Sequence, residues 1–384
     1  MLQRVAIDEL QIGMYVEQIE SNSTRTRLRK PGFIRREETI QRLREKNVEF
    51  VLVDLFQSQF MQPLSPTETS VGEQSSIPES MDLTAAKTLA DESKKHLSKL
   101  LTNIADGTDL EVEPLKEIGK NIVSNIFERK DAVFWINGIR EKSTYLLEHS
   151  LGVAFHLVNF GRYLGFGEQI LEDLAVGGLI HDIGKVMVRD EILNKAGKLD
   201  EEEFLHMKQH QVLSQPILES MPSLSQISKD VSLMHHEKLD GRGYPNGLKD
   251  DDISLAGRMA GIADIYDALT SERVYKAAMS PSEAFKIMIS LTPFHLDTDL
   301  LKSFIRCVGF YPAGSVIELS NGRVGLVTHE NTDDMTRPRV KTFFSIKSGG
   351  FREVEHLDLS KRQDISIIRG LTEQSLNTSF AHFR

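Results

Sequence analysis

Seven of the chain's 12 histidines fall between His149 and His236, at His149, His156, His181, His206, His210, His235 and His236. Two adjacent pairs say more than the clustering. His181-Asp182 ends an apolar helical run and is followed by Ile183-Gly184-Lys185, and His235-His236 ends another and is followed by Glu237. Asp264 interrupts the apolar run Met259-Ala260-Gly261-Ile262-Ala263-Asp264-Ile265. A carboxylate on such a face needs a partner cation, because an unpaired buried one costs several kcal/mol. Adjacent residues on a helix point about 100° apart. Each pair can therefore touch two metals, or a metal and a bridge. Imidazole with carboxylate suits Fe, Mn, Zn or Ni rather than Ca or Mg. His156 and His206 read as structural or surface histidines.

These residues need helices to position them, and the region 83–310 reads as mostly helical. Leu146, Leu147, Ser150, Leu151, Ala154, Leu157, Val158 and Gly161 recur at three- and four-residue spacing. Asp200 with Glu203 suggests a capping pair at a helix start. Further helices are expected over Ser223–Glu237 and Ile253–Ser271, with a Gly- and Asp-rich loop over Lys238–Asp252 between them. Before this region, residues 1–56 read as a small α/β or β-rich module. It has strand-like runs at Met14-Tyr15-Val16 and Phe50-Val51-Leu52-Val53, and a short charged helix over Glu37–Lys46. Residues 57–82 are dominated by Ser, Gln, Pro, Thr and Glu and read as a linker. After the helical region, residues 311–384 read as a short β extension. A hairpin turns at Asn321-Gly322, Lys341–Ile346 is a candidate third strand, and the last dozen or so residues read as a mobile tail.

At 384 residues the chain has room for two or three domains. With 40% hydrophobic and 27% charged residues it has ordinary globular composition. A net charge of -10 lacks the basic footprint of a duplex DNA binder. Cys307 is the single cysteine, so no intrachain disulfide forms, which fits a reducing compartment. The start lacks a long apolar h-region, and no stretch of about 18 apolar residues reads as a membrane span. The expectation is a soluble cytoplasmic protein.

His149, His181-Asp182-Ile183-Gly184-Lys185, His210, His235-His236-Glu237, Asp240-Gly241-Arg242-Gly243-Tyr244-Pro245 and Ile262-Ala263-Asp264-Ile265-Tyr266-Asp267-Ala268-Leu269 together resemble the HD-GYP family. These are bacterial cyclic-dinucleotide phosphodiesterases, a branch of the HD phosphohydrolases. The N-terminal motif Leu10-Gln11-Ile12-Gly13-Met14-Tyr15-Val16 also resembles an uncharacterised domain that often precedes this one.

The resemblance implies a mainly α, metal-dependent phosphohydrolase domain holding two divalent ions, iron first, with manganese or nickel as alternatives. His149, His181, Asp182 and Asp264 would hold one ion. His210, His235 and His236 would hold the other, with Asp182 bridging. Asp182 and Lys185 would be catalytic, Lys185 contacting a phosphate oxygen or the departing 3′-oxygen. Arg273 and Lys276 would grip the substrate's phosphates; a solvated helix end is the alternative for both. The Gly-Tyr-Pro loop is either a structural turn or a border of the site, and it or the N-terminal module would dock signalling proteins. Some relatives carry a Glu four residues before the first histidine to hold a third metal; here that position is Tyr145, so two ions are expected. The implied activity is hydrolysis of cyclic di-GMP to pGpG, and on to GMP. The alternatives are a cyclic GMP-AMP phosphodiesterase, a silent cyclic-dinucleotide receptor, or a mononucleotide phosphohydrolase.

Overall fold

A computed structural model describes residues 2–11, 14–21, 24–26, 32–34, 37–46, 48–54, 83–107, 111–128, 145–195, 197–271, 278–331, 334–372, 374–376, 378 and 380. The linker expected over 57–82 lies outside them. The chain divides into two compact units, Met1–Val71 with Gly161–Glu172, and Gly72–Phe160 with Asp173–Arg384.

In the first unit, β1 (Leu2–Ala6), β2 (Tyr15–Ser21), β3 (Thr24–Thr26), β4 (Gly32–Phe33) and β5 (Phe50–Asp54) form an antiparallel sheet in the order β1-β5-β2-β3, with β4 also on β2. The helix α1 (Glu37–Glu45) buries Ile40 in a core with Val5, Val16, Val51 and Val53. The two strands and the helix expected from sequence are present. β1, β3 and β4 are additional.

The second unit carries α2 (Leu83–Ala105) and α3 (Glu113–Glu128), then the elements around the histidines. These are α4 (Tyr145–Tyr163) and α5 (Glu168–Ile180), of which Gly161–Tyr163 and Glu168–Glu172 fall in the first unit, then the four-residue α6 (Asp190–Leu193), α7 (Glu201–Glu219), α8 (Gln226–Met234) and α9 (Leu255–Thr270), followed by α10 (Pro281–Ser290) and α11 (Thr298–Val308). Capping residues set several starts. Asp200 and Glu203 form the expected capping box on α7, and Ser225 and Ser254 cap α8 and α9 by accepting from Ser228 N and Gly257 N. α8 is therefore shorter than expected. It starts after Ser225 and stops at Met234, so His235 and His236 stand at its C-terminal end.

Small residues bring the helices close. A Cβ at Gly178 on α5 would lie 2.5 Å from Ala154 Cα on α4, and one at Gly177 would lie 2.7 Å from Val231 Cβ on α8. Ala154, Leu157, Val158, Leu174, Leu179, Ile262 and Phe304 are buried in the resulting core. His156 packs edge-on against Tyr266 and Phe304, with centroids 5.0 and 6.2 Å away, which bears out its structural reading.

The C-terminal part is the β-rich extension expected. β6 (Val316–Leu319), β7 (Arg323–His329), β8 (Arg339–Ser345), β9 (Gly350–Asp358) and β10 (Ile367–Leu371) form an antiparallel sheet ordered β10-β6-β7-β8-β9. The Asn321-Gly322 turn is present, with Gly322 at φ 79°. Phe380, in the tail, is buried, with its ring 4.9 Å from that of Phe343. Among the described residues, no helix is long and apolar enough to cross a membrane.

Because α4 backbone blocks any Cβ at Gly178, Gly178→Ala should destabilise the protein by about 1–3 kcal/mol. Gly167→Ala, whose Cβ would meet nothing within 4 Å, should leave the thermal midpoint nearly unchanged. Equal melting curves for the two variants would contradict this packing.

Candidate metal centre

Asp182 sits just past the C-terminus of α5, fully inside the protein. Its Oδ2 lies 3.2 Å from His181 Nε2 and 3.8 Å from His149 Nε2. Its Oδ1 lies 3.4 Å from His210 Nε2 and 3.8 Å from His235 Nε2. One carboxylate thus faces two imidazole groups, one on each oxygen. Asp264 Oδ1 closes the first group, 3.0 Å from His149 Nε2 and 4.0 Å from His181 Nε2. His236 joins the second, with its Nδ1 4.0 Å from Asp264 Oδ2. Donor atoms of Asp182, His210, His235 and His236 all lie within 4.8 Å of one another, as do those of His149, His181 and Asp182.

The tautomers are set from behind. His181, His210 and His235 donate Nδ1–H to the carbonyls of Gly178, Met207 and Ser232, at 2.8, 2.6 and 2.9 Å. Each acceptor is three residues upstream, so the local helical turn turns the Nε2 lone pair inward. His149 is oriented from another helix. Its Nδ1 donates instead to Asp267 Oδ2 on α9, at 2.7 Å, and Asp267 is wholly buried. A carboxylate behind a ligating imidazole fixes its orientation and raises its basicity. The donor set fits divalent ions in three respects. Asp182 Oδ1 is buried without a hydrogen-bond partner, His149 and His181 bring two Nε2 atoms to 3.3 Å, and the donors are imidazole and carboxylate.

The charges follow the same plan. Burial alone would raise Asp182, yet Lys185 and His181 hold its carboxyl well below the usual range. Asp264 is likewise depressed, chiefly by His149 against the cost of burial. Burial lowers His181, His210 and His236, His210 to about 4. At neutral pH these three are uncharged and ready to bind a metal. His149 goes the other way. Burial disfavours its charge, but hydrogen bonds to Asp264 and Asp267 outweigh this and push it up to about 9.

An HD domain family model matches residues 136–300, and the model of a domain of unknown function (DUF3391) matches residues 2–115. A cyclic di-GMP phosphodiesterase of Pseudomonas aeruginosa is 30% identical over 363 residues, covering 91% of this chain and 86% of that protein. The chain belongs to the HD-GYP family. A 3′3′-cGAMP-specific phosphodiesterase of Vibrio cholerae is 35% identical over 188 residues, covering 47% of this chain and 43% of that protein. An HDGYP protein of Bdellovibrio bacteriovorus has the same fold, with TM-score 0.50 and 14% identity, covering 79% of this chain and 98% of that one.

The loop that gives the HD-GYP family its name borders the cluster here. The Tyr244 ring lies 4.6 Å from that of His236 and 6.4 Å from that of His210. Buried Glu237 anchors the loop by accepting from Asn246 N at 2.7 Å and Leu248 N at 3.0 Å. Gly243 is required, because a Cβ there would lie 2.4 Å from Glu237 Cα. Lys185 lies at the rim, its Nζ 2.5 Å from Asp182 Oδ2. Arg273 and Lys276 lie outside the described residues. Glu148 pairs with Lys94 at 3.1 Å.

Sequence reasoning gave no role to four residues of the site. Asp267, Gln211 and Tyr244 touch the histidines; Gln211 Nε2 donates to His210 Nε2 at 2.9 Å. Gly184 lets the Asp182 turn sit on α7, where its N–H donates to Ser214 Oγ at 3.0 Å and a Cβ would lie 2.0 Å from His210 O. Asp267, Gly184 and Tyr244 stood inside the motifs that carried the resemblance, which was the signal available; Gln211 did not.

Two outcomes are expected. Asp267→Ala should weaken divalent-metal binding about 10–100-fold while leaving the circular dichroism spectrum intact. Competition with a calibrated chelator measures this, and unchanged affinity would contradict the role of Asp267. Metal entry must also displace the His149 proton. Apparent affinity should therefore climb about tenfold per pH unit below about 9 and level off above it. A flat profile between pH 6 and 9 would contradict the raised His149.

Proposed function

We propose that this chain hydrolyses a phosphodiester bond of a cyclic dinucleotide, cyclic di-GMP first, opening it to linear pGpG with GMP as the further product. The observation that carries the reading is Asp182, with one oxygen toward His149 and His181 and the other toward His210 and His235. We assign His149, His181, Asp264 and Asp182 to one divalent ion, and His210, His235, His236 and Asp182 to a second. Iron is the first choice, then manganese, with nickel a third. When bound, such a pair supplies an acidified water and neutralises charge building on phosphate oxygens.

The chain's own groups do the rest. Lys185 is the cation at the rim, with 19% of its side chain exposed. From there its ammonium can meet a phosphate oxygen and give a proton to the departing 3′-oxygen. Tyr244 keeps its proton, because burial and then Asp264 and Asp182 raise its hydroxyl well above the usual value. Beside an anionic substrate it is a hydrogen-bond donor. Arg273 and Lys276 are proposed phosphate contacts on the family resemblance. Signalling partners would meet the Gly-Tyr-Pro loop or the N-terminal unit, and the single cysteine supports a cytoplasmic setting.

Cyclic GMP-AMP is the second reading, supported by the similarity to the Vibrio cholerae enzyme. A silent receptor is disfavoured, because every proposed ligand is present.

Purified protein loaded with iron or manganese should open cyclic di-GMP, with product identified by chromatography against cyclic di-AMP and cyclic GMP-AMP. Elemental analysis should find about two metals per chain. Asp182→Ala should retain less than about a tenth of the rate, a barrier increase above about 1.4 kcal/mol. Lys185→Ala should keep its metal and lose kcat rather than KM. Substantial turnover by Asp182→Ala would refute the assignment.

A further inference from the structure

A short ladder of side chains leads from the cluster to the outer face of α7. The Tyr244 ring packs 4.6 Å from that of His236, tilted by 32°. Lys208 Nζ lies 5.2 Å from the Tyr244 ring centroid and 4.7 Å from that of Phe204. Phe204 ends the ladder, and 47% of its surface is exposed. A half-exposed aromatic ring with a cation over it, reached in three contacts from a proposed metal ligand, has the chemistry of a nucleobase platform. Stacking a base on an aromatic side chain contributes about 1–3 kcal/mol. A lysine beside that base recognises the O6 and N7 acceptors of guanine, whereas adenine offers an amino donor in place of O6.

We propose that Phe204 and Lys208 form a purine subsite of the active centre. One base of the cyclic dinucleotide stacks on Phe204. Lys208 reads its acceptor edge and favours guanine over adenine, while the scissile phosphate lies over the histidines beside Tyr244. The proposal rests on the cyclic-dinucleotide reading given above. It adds two residues of α7 as determinants of base preference.

Steady-state kinetics on the metal-loaded full chain test it. Phe204→Ala should raise KM for cyclic di-GMP about tenfold with kcat within about twofold, and Phe204→Trp should restore KM. Lys208→Met should shrink the preference for cyclic di-GMP over cyclic di-AMP about tenfold. Leu205→Ala, at the next exposed residue of α7 but pointing about 100° away from Phe204, should leave KM as it is. Metal content and circular dichroism of each variant separate base binding from damage to the cluster or fold. The subsite is overturned if Phe204→Ala matches wild-type KM, if its loss follows loss of metal, or if Lys208→Met keeps the full base preference. Absence of any cyclic-dinucleotide turnover in wild type overturns the proposed function and the subsite together. Wild-type turnover with unaltered variants overturns the subsite alone.

Discussion

The buried carboxylate of Asp182 organises the centre. An anion removed from water is costly unless cations and donors surround it; here the Lys185 ammonium meets Oδ2, and the ring nitrogens of His149, His181, His210 and His235 stand around the two oxygens. Its two oxygens face different groups. Any movement of the turn after α5 would therefore disturb both halves of the cluster at once. That turn is held by the fit of Gly184 against α7 and by the bond from its N–H to Ser214.

Around the carboxylate, the chain uses two means of orienting histidines. Three of them are tied to carbonyls of their own helical turn, so helix formation alone aims them. His149 is aimed by Asp267, 118 residues away in sequence, which makes its orientation depend on the packing of α4 against α9. Asp264 and Asp267 together hold a proton on His149 up to about pH 9, against the cost of burial. The half of the cluster oriented by tertiary contact is thus the half where a metal, once bound, would have to displace a proton.

The rim is built differently from the floor. Glu237 and Gly243 lock the Gly-Tyr-Pro loop to the end of α8, which lays Tyr244 across His236. Lys208 and Phe204 extend this edge along α7. The floor carries nitrogen and oxygen donors with buried partners, and the rim carries rings and ammonium groups that reach solvent. This division suits a reaction in which the phosphate is handled deep in the site and the bases at its border.

What the sequence determined by itself is what local rules control. The His-Asp and His-His pairs at helix ends, the Asp200–Glu203 box and the Asn321-Gly322 hairpin are all short-range features, governed by capping, turn chemistry and periodicity. They were legible for that reason. The strand β9 was not, because most of its residues are exposed on both faces and no alternation marks it. Tertiary structure alone decided that Asp267 stands behind His149, that Gly184 must lack a side chain, and that Phe204 and Lys208 line up with Tyr244. Those relations join residues on different elements. They are fixed by how closely the helices pack, a quantity that no residue's type or local spacing encodes.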